Sequence, residues 1–139
     1  MKQLILLLTA MNLFGADFIP NTQMHVVLQP SKNLVWQDDA PSSERQMSYK
    51  SAMAYCETLD YIGVTNWRVP NTVELYSLMD VSRTPTISSA FAHTASGCYW
   101  ALHDSMKGHT GIIDFSNGMK KSSQGFEQMC RVRCVSNLK

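Results

Sequence analysis

Four cysteines, Cys56, Cys98, Cys130 and Cys134, constrain this 139-residue chain more than any other feature. An even number of cysteines in a small chain that meets an oxidising compartment predicts two disulfides. The compartment is read from the N-terminus. Met1-Lys2 is a short positive start, Leu4-Ile5-Leu6-Leu7-Leu8 is an apolar run, and the small pair Gly15-Ala16 follows. That is the layout of a secretory signal peptide over residues 1–16, leaving 17–139 as one domain. The expected destination is the periplasm, the cell surface or the exterior. No cysteine stands near the end of the leader, so no lipid anchor is expected, and no stretch reaches the ~18 consecutive apolar residues of a membrane-spanning helix.

Zinc is the rival use of four cysteines. The paired C-x-x-C spacing of structural zinc sites is absent, and C-x-x-x-C occurs once, at Cys130 to Cys134, so disulfides are preferred. Arg131-Val132-Arg133-Cys134-Val135 alternates charged and apolar residues in the manner of a half-buried strand. If Cys130 shares that strand, it lies roughly 13 Å from Cys134, beyond the ~7 Å Cα limit of a disulfide. Two connectivities stay open: Cys56 to Cys134 with Cys98 to Cys130, or Cys56 to Cys130 with Cys98 to Cys134.

Hydrophobic patterning supplies the elements between the cysteines. Met24 to Leu28 and Asn33 to Gln37 read as a hairpin around Gln29-Pro30-Ser31-Lys32, and Asp38 to Gln46 as a polar loop. Ser48 caps an expected helix with Ala52, Cys56 and Leu59 on one face and Gly63 as its stop. Asn71-Thr72-Val73-Glu74 has the spacing of a capping box and opens a second helix through Leu75, Leu78 and Met79, ending near Asp80. A long polar connection, Ser82 to Ser89, follows. Cys98 to Leu102, Gly111 to Phe115 and Arg131 to Val135 then read as strands, and Asn117-Gly118 as a type I′ turn into Met119 to Ser122. Strands, two helices and an antiparallel meander make an α+β fold.

Composition limits the function classes. With 45% hydrophobic and 17% charged residues, the chain can bury enough apolar surface to fold. Lys plus Arg is 12 and Asp plus Glu is 11; removing residues 1–16 takes away Lys2 alone and leaves 11 of each. Nucleic-acid binding draws its affinity from a basic excess, which this neutral chain lacks.

Specific residues then stand out: Leu34-Val35-Trp36-Gln37, Ala54-Tyr55-Cys56-Glu57-Thr58-Leu59, and Asn66-Trp67-Arg68-Val69-Pro70-Asn71-Thr72-Val73-Glu74-Leu75. Further on come Pro85-Thr86-Ile87, Tyr99-Trp100, Ile113-Asp114-Phe115-Ser116-Asn117-Gly118 and Val132-Arg133-Cys134-Val135. In combination they resemble the C-terminal domain family of the Legionella collagen-like protein, a bacterial domain related to the C-type lectin-like fold. The resemblance covers most of the chain after about residue 24. It implies termini that meet in a small sheet, two flanking helices and an irregular region before the last strand. It also implies a first helix tied to the last strand, hence Cys56 to Cys134, with Cys98 to Cys130 as the inner pair. Two features depart from what the resemblance brings with it. No Gly-X-Y stalk precedes the domain, so stalk trimerisation is not carried over. The Glu-Pro-Asn or Gln-Pro-Asp triplet and the Trp-Asn-Asp strand of calcium-dependent lectins are also missing, so calcium-bridged sugar binding is not carried over.

Trp67, Pro70, Leu75, Trp100 and Phe115 are expected in the core. Arg68 either holds a carboxylate such as Glu74 or stands exposed. His103 to His109 reads as an exposed loop whose His103, Asp104 and His109 are better explained by a solvated hairpin than by a metal. No G-x-S-x-G elbow and no phosphate-binding glycine motif occurs. On the scaffold that the resemblance implies, the solvent-facing positions of the meander would be Tyr99, His103, Asp104, His109, Asn117, Lys120 and Lys121, an aromatic and polar set suited to a glycan or a protein epitope. The first expectation is therefore an exported, non-enzymatic recognition or adhesion module with no cofactor and no metal. The second is a structural or assembly subunit of a cell-envelope complex. The third is a catalyst like the formylglycine-generating enzymes, which share the lectin-like scaffold and need a reactive cysteine thiolate.

Overall fold

The computed structural model describes residues 17–102, 111–122 and 128–138. The leader and the 103–109 loop lie outside them. Two antiparallel sheets form the frame. The first, in order β1 (Ile19–Asn21), β2 (Val26–Gln29), β3 (Leu34–Gln37) and β7 (Val135–Asn137), joins the first described strand and the last through the β2–β3 hairpin. The second runs β4 (Cys98–Ala101), β5 (Gly111–Asp114), β6 (Met119–Ser122). Three short helices, α1 (Ala40–Glu44), α2 (Tyr49–Thr58) and α3 (Thr72–Tyr76), lie between them in sequence.

Alternation along a strand sends neighbouring side chains to opposite faces, and here both faces are covered. Val26, Leu28 and Val35 join one hydrophobic cluster with Ala52, Cys56, Trp67 and Trp100. Val27, Leu34 and Trp36 join a second with Leu75, Leu78, Phe91, Tyr99 and Phe115. The five residues expected in the core are all buried. Two buried glutamines are satisfied: Gln29 accepts from Trp36 Nε1 at 2.9 Å and donates to Ser77, and Gln37 accepts from the Cys134 amide at 3.0 Å and donates to Tyr55.

Both disulfides are formed. Cys56 joins Cys134 with Cα atoms 5.5 Å apart, and Cys98 joins Cys130 at 5.1 Å. They close 78-residue and 32-residue separations, contributing about 4.5 and about 3.7 kcal/mol in the chain-entropy model.

The α+β order and the first hairpin match the expectation from sequence; five local details do not. The polar loop at Asp38 to Gln46 contains α1, because Asp39 caps the Ser42 amide and Pro41 suits a first helical turn. Helix α2 stops at Thr58, before Gly63, and α3 stops at Tyr76, with Leu78 buried from a following turn. The Asn117-Gly118 hairpin is a four-residue loop with positive φ only at Gly118, because Asp114 accepts from both the amide and the hydroxyl of Ser116 and draws the chain into a wider turn. Residues 131–134 form no continuous strand. Their amides go to different partners, Arg131 to the Cys98 carbonyl and Cys134 to the Gln37 side chain, so no single ladder can run through them.

Candidate functional site

Arg133, read as one outward tooth of a strand, is instead buried at 1% exposure and paired with Asp38 at 3.3 Å. Its guanidinium also donates to the Gln37 carbonyl at 2.6 Å and to the His93 carbonyl, and lies 4.6 Å from the Phe91 ring centre. Asp38 in turn accepts from the Ala92 and His93 amides, each at 2.9 Å. A buried charge needs a partner and full hydrogen bonding. Here that requirement binds β3, the 91–93 segment and the approach to β7 into one rigid node.

Of the seven candidate contact residues, Tyr99 is corrected. It is fully buried, edge-on to Phe115 at 5.2 Å, and its hydroxyl finds no hydrogen-bond partner among the described residues. The reason is parity on a strand covered on both faces: Trp100 takes one cluster and Tyr99 the other, so neither ring is left for solvent. His103, Asp104 and His109 lie outside the described residues. Asn117, Lys120 and Lys121 are exposed.

Around Lys120 the structure assembles a contact that pattern reading did not find. The Lys120 ammonium lies 4.3 Å from the centre of the Tyr76 ring, a cation–π contact. Tyr76 is held there by α3, whose capping box is complete: Asn71 accepts from the Glu74 amide at 2.7 Å and Glu74 accepts from the Asn71 amide at 2.9 Å. The same Glu74 takes both guanidinium nitrogens of Arg68, at 2.7 and 2.8 Å. Burial pushes the Glu74 carboxyl up, but the Arg68 and Asn71 hydrogen bonds outweigh it and hold it below the usual carboxylate range. Lys121 turns to the opposite face of β6 and approaches Asp114 at 3.6 Å. Asp114 is held below its usual range first by the Ser116 hydroxyl, with Lys121 adding to the effect.

Next to Tyr76, the β5–β6 turn packs tightly on the chain that follows α3. A Cβ added at Gly118 would stand 3.2 Å from Met79 Sδ and 3.8 Å from Val81 Cγ1, and the backbone there is left-handed, which is why glycine fits. Val73, Val81 and Met119 are exposed apolar side chains, Val81 at 79%. Tyr76 has the signal that could have found it: an aromatic at the last helical position after a capping box, one residue past buried Leu75. Sequence pattern does not say which ring faces out.

Among the described residues there is no group of three or more His, Cys, Asp and Glu side chains placed to hold a metal, and no helix is long and apolar enough to cross a membrane. All four cysteines are in disulfides.

Fold and site together define a doubly bridged α+β domain with an exposed Tyr76–Lys120 contact, and with exposed apolar side chains on α3, on the chain after it and on β6. The family model of the Lcl C-terminal domain matches residues 25–136, most of the chain, and the protein belongs to that family. No curated protein and no solved structure matches the chain.

Proposed function

We propose that this chain is an exported, non-enzymatic recognition module of 17–139 behind a 1–16 leader, with a C-type lectin-like fold and a glycan or protein ligand. Family membership supports a binding role of this kind. The observation that carries the site is the exposed Tyr76–Lys120 pair, with Asn117 exposed on the turn that leads into the Lys120 strand: a ring to bury area and polar groups to set orientation, held on a cross-linked frame. A pre-organised frame lowers the ordering cost of binding. The lectin-like reading rests on the sheet that brings β1 and β7 together and on a bridge from α2 to the residue before β7. Export is supported by two disulfides in one small domain. Catalysis of the formylglycine-generating type would need a thiolate, and both bridges withhold every sulfur that could supply one.

The test is a glycan array probed with the mature, oxidised protein and with Tyr76→Ala, Lys120→Ala and Asn117→Ala variants. Binding to related sugars that falls at least tenfold in Tyr76→Ala supports the reading; binding untouched by all three variants refutes this surface. The exposed Val73, Val81 and Met119 favour a second reading, an assembly subunit of an envelope complex whose partner covers them. A silent array together with a stoichiometric envelope protein in pull-downs, lost in Val81→Asp, would establish that alternative.

A further inference from the structure

Two histidines far apart in sequence stand together at the end of the first sheet. The His25 and His93 ring centres are 6.4 Å apart with planes tilted by 58°. His25 is exposed and His93 half-buried. Neither position depends on a loose loop. His25 has a left-handed backbone, φ 57°, and its carbonyl accepts from the Asp38 amide at 2.9 Å and from the Tyr61 hydroxyl at 3.0 Å. The His93 amide donates to Asp38, and its carbonyl accepts from Arg133. Both backbones are thereby fastened to the buried Asp38–Arg133 ion pair, in which the carboxylate offsets the guanidinium charge.

We propose that His25 and His93 bind one divalent late first-row metal ion, Cu2+ most tightly, as a two-imidazole site completed by water. Imidazole nitrogens bind such ions at about 2.0–2.1 Å, and with a ring half-width of about 1.1 Å two rings on one ion stand roughly 5 to 6.4 Å apart. The observed spacing is at the wide end of that span, where the rings lie on opposite sides of the ion, and a rotation of the exposed His25 side chain narrows it. Two nitrogens with water oxygens make a tetragonal donor set, which suits Cu2+, whereas structural Zn2+ takes four protein ligands in a tetrahedron. The ordering of divalent ions gives Cu2+ the highest affinity of the series.

The experiment is a titration of the oxidised, mature protein with Cu2+ at pH 7.5, followed by electron paramagnetic resonance and by proton NMR of the imidazoles. The expected result is one Cu2+ per chain with two coordinated nitrogens, and broadening of the His25 and His93 ring protons at substoichiometric metal. His25→Asn, chosen because asparagine tolerates a left-handed backbone, and His93→Asn should each weaken binding at least tenfold. The double variant should lose the site, and His103→Asn/His109→Asn should keep it. The NMR readout on the unmodified protein needs no variant to fold. No bound copper, broadening confined to other residues, or titration unchanged in His25→Asn/His93→Asn would overturn the proposal.

Discussion

Replacing Asp38 by Asn removes one charge from the interior while nearly keeping its shape. The carboxylate accepts three hydrogen bonds, from Ala92 N and His93 N at 2.9 Å and from Arg133 Nη1 at 3.3 Å. Its partner guanidinium is 1% exposed, so without the carboxylate it is left with the Gln37 and His93 carbonyls and the rings of Phe91 and, at 6.0 Å, Tyr99. Breaking a buried pair from one side typically costs about 3–5 kcal/mol, because the remaining charge is left uncompensated. A domain of this size has roughly 5–15 kcal/mol to lose, so the variant should retain a fraction of the stability rather than a trimmed version of it. Urea unfolding of the oxidised protein at pH 7 measures the loss. Adding Arg133→Met removes the stranded charge, and the double variant should cost less than the sum of the single variants by at least about 1.5 kcal/mol. A loss below about 1 kcal/mol in Asp38→Asn, or strictly additive costs, would refute the view that this pair is the node holding the 91–93 segment.

The Arg68–Glu74 pair is the contrast: its arginine side chain is 37% exposed, so Arg68→Ala should cost about 1 kcal/mol or less by thermal unfolding. Because Glu74 titrates below its ordinary value when folded, its contribution is present above the unfolded pKa of about 4.3 and is lost as pH falls through the lowered one; Glu74→Gln should flatten the stability curve in that acid range. Tyr99→Phe removes a buried hydroxyl that lacks a protein partner and should leave stability unchanged or raise it by about 1 kcal/mol, with ligand binding intact; a loss of that size in calorimetry would mean the hydroxyl is satisfied by water. Cys56→Ser/Cys134→Ser should lower the unfolding midpoint further than Cys98→Ser/Cys130→Ser, both because the closed loop is longer and because both of its cysteines are fully buried.

Local rules were readable wherever the determining atoms are neighbours in sequence. Ser48 and Asn71 cap helices, Glu74 completes its box, and Leu34 to Gln37 pairs with Val26 to Gln29, all because the groups that satisfy one another lie within a few residues or across one turn. The family pattern added the disulfide pairing, which spacing alone had narrowed only to two arrangements. What could not be read is which face of a strand meets solvent when both faces are covered. Tyr99 and Tyr76 are both aromatic residues in predicted elements, yet one is buried and the other forms the surface with Lys120. Arg133 shows the same limit. Alternation suggested an exposed charge, but Asp38 lies 95 residues away in sequence and its position is known only once β3 and the last segment are packed together. Sequence by itself determined the elements, their caps and the chemistry on offer. Only the tertiary structure decided which side chains meet, because burial and pairing depend on contacts between segments that no local pattern encodes.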